Sequence, residues 1–301
     1  MLYLLMAIAA MSLIMFALKF FNIKGICIPH AIMANYALAF LISAVSGREY
    51  ITADHMQAMV SGDWWYLAII TGIFYFGSMD IMAASTRKAG VSVTTMASRT
   101  SVILPIIWAA AVLGEHITGW EILGTALVIA AFTLIIYRKD SASANNRRER
   151  TAQILLPIAV FLSVGLIAVC MKTSQHLIKS SGDYAVDYPL FETLLFAAAT
   201  IGSATYYAAR YGVRIFRFTL TGVAGGLCLG TFNYFVTLGI MNGLKYFSSS
   251  TFYGIYNIGV VVLATLVGAT VFGERTDRRT LAGIGCAAAA IFVLGFLGGD
   301  L

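Results

Sequence analysis

Leu113-Gly114-Glu115-His116-Ile117-Thr118 separates two long apolar runs, and Phe272-Gly273-Glu274-Arg275-Thr276-Asp277 separates two more. Nine residues after each glutamate stands another glycine, Gly124 in the first copy and Gly283 in the second. The identity in letters is thin, but the hydropathy on either side matches over a much longer reach. The chain therefore reads as two copies of one unit.

Composition says which solvent that unit is built for. The 301 residues are 59% hydrophobic and 11% charged, with a mean hydropathy of +0.84, more apolar surface than a water-soluble globule of this size can hide. The apolar runs are continuous and not alternating, which predicts membrane-spanning helices over a barrel. Crossing the hydrocarbon takes about 20 apolar residues as a helix, and the backbone must be satisfied within the chain. The net charge of +6 does not point to nucleic acid, because the basic residues sit in short connections where membrane orientation explains them. Cys27, Cys170, Cys228 and Cys286 show no metal or redox spacing and are expected to be buried, inert thiols. Residues 1–18 are apolar from the start, with no basic stretch before them, so they read as a first span and not as a cleavable signal.

The expectation is an all-α integral membrane protein with ten transmembrane helices arranged as two inverted five-helix repeats. The spans fall at about 2–18, 28–45, 65–84, 91–113, 118–137, 153–171, 188–208, 218–241, 248–272 and 280–296. Residues 1–137 form the first repeat, 138–152 a charged linker and 153–301 the second repeat. Five is odd, so the second copy enters the membrane in the opposite sense. The charges agree: the connection at 114–121 has no Lys or Arg, whereas its counterpart carries Arg275, Arg278 and Arg279. Connections after odd-numbered spans hold fifteen Lys and Arg against four in the others, which favours both termini outside.

Two five-span halves, each with a Gly-Glu turn between its fourth and fifth spans, Pro105 in the fourth span and the spacing from Glu115 to Gly124, resemble the drug/metabolite transporter (DMT) superfamily, in particular its EamA-type permeases. The resemblance covers nearly the whole chain. It implies that spans one to four and six to nine surround a central cavity, that five and ten are peripheral, and that a solute passes by alternating access. Two features depart from the family: Ala264 stands where the first copy has Pro105, and family members keep both termini in the cytoplasm, opposite to the charge count.

Arg99 is the basic residue placed firmly inside a span. A charge at mid-membrane costs at least ~3 kcal/mol, so it must face protein or a watery cavity. Its planar fork suits a carboxylate or phosphate of a solute; an internal ion pair or a reach to the interface are the alternatives. Glu192, just inside the seventh span, is the candidate acid: a partner for Arg99, a carrier of a coupling proton, or a wet residue near the mouth. Polar residues within spans add His30, Asn35, Tyr36, Tyr75, Asp80, Asn233, Tyr234, Tyr253, Tyr256 and Asn257. The last three share a helix face, which suits a cavity wall or an interhelical hydrogen-bond seam. Glu115 and Glu274 are read as structural, each beside the start of the next helix where Thr118 or Asp277 caps it. Pro105 is structural as well, and Gly226 and Gly230, with Gly222, are packing positions. Lys19 and Lys172 correspond between halves and read as snorkelling anchors.

These readings point to a secondary transporter of a small polar metabolite in a bacterial inner (plasma) membrane, driven by a proton or sodium gradient or by exchange. The chain has no phosphate-binding loop for direct use of ATP. An exporter of the small multidrug-resistance type is the runner-up, weakened because residues 1–19 contain no acid. An intramembrane enzyme would need a nucleophile and base, or a ligand set; no H-E-x-x-H or G-x-S-x-G occurs, and no catalytic residue, metal or cofactor is expected.

Overall fold

The computed structural model describes residues 1–62, 64–89, 91–136, 147–181, 184–271 and 278–297. The turn carrying Glu274 and most of the charged linker fall outside the described residues, as does the side chain of Lys19. Among the described residues the chain is helical throughout: α1 (Leu2–Lys24), α2 (Ile28–Ser46), α3 (Ala53–Ser61), α4 (Trp65–Ala89), α5 (Val91–Thr100), α6 (Ile103–Val112), α7 (Gly119–Ile136), α8 (Arg147–Ser181), α9 (Tyr184–Tyr211), α10 (Leu220–Leu244), α11 (Ser249–Val271) and α12 (Arg278–Phe292), with a 3-10 turn at Val213–Phe216 and a π turn at Val293–Leu297. Four stretches, Ile28–Ser46, Trp65–Met82, Thr151–Ser180 and Leu220–Leu244, are long and apolar enough to cross a membrane, and five shorter apolar helical stretches accompany them. On α8 the side chains of Ile154, Leu155, Ile158, Leu162 and Leu166 are all exposed, an apolar stripe that favours lipid over water as its neighbour.

Four local features differ from the sequence reading. The fourth expected span is not continuous but breaks between α5 and α6 at Ser101 and Val102. Pro105 explains the break: it has no N–H to donate and its ring clashes with the carbonyl four residues back, that of Ser101. The chain tightens there, with Val102 N–H to Arg99 O at 3.5 Å and Leu104 N–H to Ser101 O at 3.0 Å, and the proline sits in the first turn of α6, where a missing donor is harmless. α3 fills the connection after α2; the Thr52 hydroxyl caps it by accepting from His55 N–H at 3.3 Å. α8 starts inside the charged linker, at Arg147, in a run of good helix formers without Gly or Pro. Cys170 is buried, but Cys228 is exposed and Cys27 and Cys286 are intermediate, so the expectation of four buried thiols is corrected.

Two compact units follow, and they do not coincide with the sequence halves. One unit combines Met1–Phe76 with Cys170–Lys245, the other Gly77–Val169 with Tyr246–Leu301. In the first, α10 packs on α1 and α2, and α2 packs on α9. Glycine makes this close: a Cβ added at Gly226 would stand 2.6 Å from the Ala31 carbonyl oxygen, and one at Gly230 would stand 2.5 Å from that of Asn35. The start of α10 is tied to the start of α2, because the Thr219 hydroxyl that caps it by accepting from Gly222 N–H lies 3.2 Å from His30 Nδ1. In the second unit α7 packs on α12 and α11, and α11 packs on α6. Leu294, fully buried, fills the space left by Gly124 of α7, where an added Cβ would meet its Cγ at 2.5 Å.

Gly226→Val puts three heavy atoms where the backbone of α2 already stands, and should destabilise the protein by about 1–3 kcal/mol. The expected readout is a lower unfolding midpoint in detergent; an unchanged midpoint would contradict the packing.

Candidate functional site

In the second unit the broken helix delivers Arg99 to the interior. Arg99 lies in the last turn of α5, where the helix dipole favours a cation, and it is 6% exposed. Its Nη1 donates to Asn257 Oδ1 at 3.0 Å, and the Asn257 amide nitrogen donates to Tyr253 O at 2.9 Å. The amide is thus a bridge from α5 to the backbone of α11. Arg99 Nε has no hydrogen-bond partner among the described residues. The Tyr253 hydroxyl donates to Ala168 O at 3.1 Å, and the ring of Tyr256 stacks on Phe252 with centroids 5.9 Å apart. On the face shared by Tyr253, Tyr256 and Asn257, the first and last thus bond to other helices, while Tyr256 packs within α11.

The first unit holds a second buried polar cluster. Glu192 on α9 is 2% exposed and so not a wet residue at a mouth; its Oε1 has no hydrogen-bond partner among the described residues. Tyr188, one helical turn earlier on α9, and Tyr75 of α4 and Tyr234 of α10 lie within electrostatic reach of its carboxyl. The Tyr75 hydroxyl lies 3.3 Å from Thr237 Oγ1, and its ring is edge-on to Tyr36 and to Phe196, at 6.5 and 6.4 Å. Tyr36 is fully buried, and its hydroxyl has no hydrogen-bond partner among the described residues. Nearby on the same helices, Asn233 Nδ2 donates to Asn35 Oδ1 at 3.3 Å. Arg99 and Glu192, weighed as partners from the sequence, belong to different units. Lys172 is buried, at 7% exposure, which is not the disposition of a snorkelling anchor. Asp80 stands two residues before the end of the apolar stretch Trp65–Met82, and α4 itself continues to Ala89.

Glu115 and an acid that the sequence reading passed over, Glu121, form a clamp. Glu115 reaches across to another helix: its Oε1 accepts from Ser249 N–H at 2.6 Å and its Oε2 from the Ser249 hydroxyl at 2.9 Å, both at the start of α11. Glu121, 3% exposed, closes a capping box on α7. The Thr118 hydroxyl accepts from Glu121 N–H at 3.2 Å while Glu121 Oε2 accepts from Thr118 N–H at 2.8 Å. Its Oε1 also accepts from the hydroxyls of Ser248, at 2.5 Å, and Ser250. Thr118-x-x-Glu121 followed by an apolar run was the available signal. The two acids thus fix the end of the helix that carries Asn257.

No family model matches the chain. It is 28% identical over 292 residues to an uncharacterized protein of Haemophilus influenzae, covering 93% of this chain and 92% of that one. A crystal structure of a protein matches with a TM-score of 0.68 at 15% identity, over 98% of this chain and 96% of the other. That likeness is one of fold.

Glu121→Ala removes the acceptor of one backbone amide and of three hydroxyls. A loss of about 2–4 kcal/mol is expected, read as a fall in the unfolding midpoint. Glu121→Gln, which keeps one acceptor oxygen, should lose clearly less; equal losses would mean that the clamp is not held by these hydrogen bonds.

Proposed function

We propose that this chain is a secondary transporter of a small polar metabolite, a permease of the EamA type in the drug/metabolite transporter superfamily. It would work by alternating access in a bacterial inner membrane. The observation that carries the reading is the pair of buried ionisable side chains, Arg99 and Glu192, each with a hydrogen-bonding atom left over inside an apolar helical chain. Such groups are expensive where water is excluded and mark solute or ion pathways. The break between α5 and α6 beside Arg99 supports it, because transporters build their sites at discontinuous helices.

The ten-span, two-repeat architecture belongs to the same proposal. Helices that the repeat treats as equivalent pack on each other within each unit, α2 on α9 in one and α7 on α12 and α6 on α11 in the other, as expected for copies related by a two-fold axis. In this reading Arg99 takes an anionic group of the solute, Nη1 remaining on Asn257 while Nε is open to it. A proton or sodium gradient, or exchange against a second solute, supplies the drive.

The test is counterflow in proteoliposomes loaded in turn with amino acids, nucleosides, sugar phosphates and organic cations. One class should accumulate, and Arg99→Ala should lower its uptake by about tenfold or more, with Arg99→Lys recovering part of it. Full uptake by Arg99→Ala removes Arg99 from the mechanism. Accumulation of none of these solutes contradicts transport itself.

A further inference from the structure

Glu192 and the tyrosines around it have a chemistry of their own. The carboxyl is buried on α9 with Oε1 unpartnered among the described residues. Among the described residues three tyrosines lie within its electrostatic reach, Tyr188 of α9, Tyr75 of α4 and Tyr234 of α10, and Phe196 follows it by one helical turn on α9. Tyr75 in turn meets Tyr36 and Phe196 edge-on, so a carboxyl stands at the edge of a buried aromatic cluster drawn from α2, α4, α9 and α10. The Tyr36 hydroxyl adds an oxygen with no partner among the described residues.

We infer that this cluster in the first unit binds the ammonium group of a solute, Glu192 supplying the charge and the tyrosine rings and the Tyr36 hydroxyl the remaining contacts. The identification of that ligand as a transported solute rests on the transport reading above. The choice of ligand follows from what the set repels and rewards. An anion would face a like charge where water does not screen it. A neutral alcohol could donate to Oε1 but would forgo both the charge-assisted hydrogen bond and the attraction of a cation to aromatic faces. An ammonium gains both, and its three donors match a carboxylate oxygen and a phenolic oxygen together. Because the cluster uses rings and not a fixed fork, it admits primary and substituted ammonium groups alike.

Binding to the full chain in lipid nanodiscs, measured by calorimetry, separates the possibilities with three probes of one shape: phenethylammonium, 2-phenylethanol and phenylacetate. The wild type should bind phenethylammonium most tightly. Glu192→Gln, which keeps the shape and removes the charge, should weaken it by about tenfold or more, while Glu192→Asp should retain a substantial part. Asp54→Asn, a carboxylate removed from the exposed surface of α3, should change nothing. Glu192→Gln binding phenethylammonium as the wild type does, or a wild type that prefers the alcohol or the anion, overturns the inference. The wild-type ranking stands as a test even if Glu192→Gln does not fold. Counterflow distinguishes the two claims: uptake of some solute without Glu192-dependent ammonium binding sinks the site alone, and Glu192-dependent binding without uptake of any solute sinks the transport reading alone.

Discussion

The hydrogen bond from Arg99 to Asn257 is the interaction on which the second unit depends. A guanidinium that is 6% exposed needs an acceptor, and the Asn257 amide provides one while its own nitrogen is held by the Tyr253 carbonyl. Three features converge on that contact. Pro105 ends the continuous helix where α5 stops, so that Arg99 lies in a last helical turn. Glu115 and Glu121 hold the start of α11, the helix that carries Asn257. Gly124 and Gly254 leave room for Leu294, whose carbonyl accepts from the Thr251 hydroxyl at 3.3 Å.

The first unit solves a different problem with different residues. Its helices approach through glycine and alanine, so the contact is largely backbone against small side chain. Dispersion and close approach can carry helix association where lipid removes the hydrophobic advantage of burial. The large side chains buried in this unit include two tyrosines, Tyr36 and Tyr207, beside Phe191 and Phe196. Phenolic rings fill volume as apolar residues do, yet each brings a hydroxyl that needs a partner. Thr237 meets that need for Tyr75; Tyr36 and Glu192 keep atoms free. A polar site can arise in this way without a polar helix.

The long apolar helices are legible because hydropathy alone predicts them, and the glycine stripe of α10 reads as a packing surface, which the approach of Gly226 and Gly230 to α2 makes explicit. What was missed involves distance along the chain. The partner of Arg99 lies 158 residues away, and an acidic partner was the natural expectation for a buried cation where an asparagine does the work. Glu115 was assigned to its own neighbourhood because capping is usually local, but its carboxylate crosses to Ser249. The break at Ser101 was written in Pro105, yet a proline inside a long apolar run is also compatible with a kinked, unbroken helix. Burial of Glu192 had no signal in its surroundings, since a residue near the end of an expected span is as readily wet as dry.

The central claim is that the buried polar clusters become open to water from each side of a membrane in turn. Site-directed accessibility tests it most directly. Thr237, fully buried and beside Tyr75, is replaced in the chain freed of its four cysteines, as Thr237→Cys. A membrane-impermeant maleimide is then applied to sealed vesicles of each orientation. The account predicts labelling from both faces, with a transported solute slowing it. A thiol that reacts from neither face, or from one face only under every gradient and solute, would contradict it.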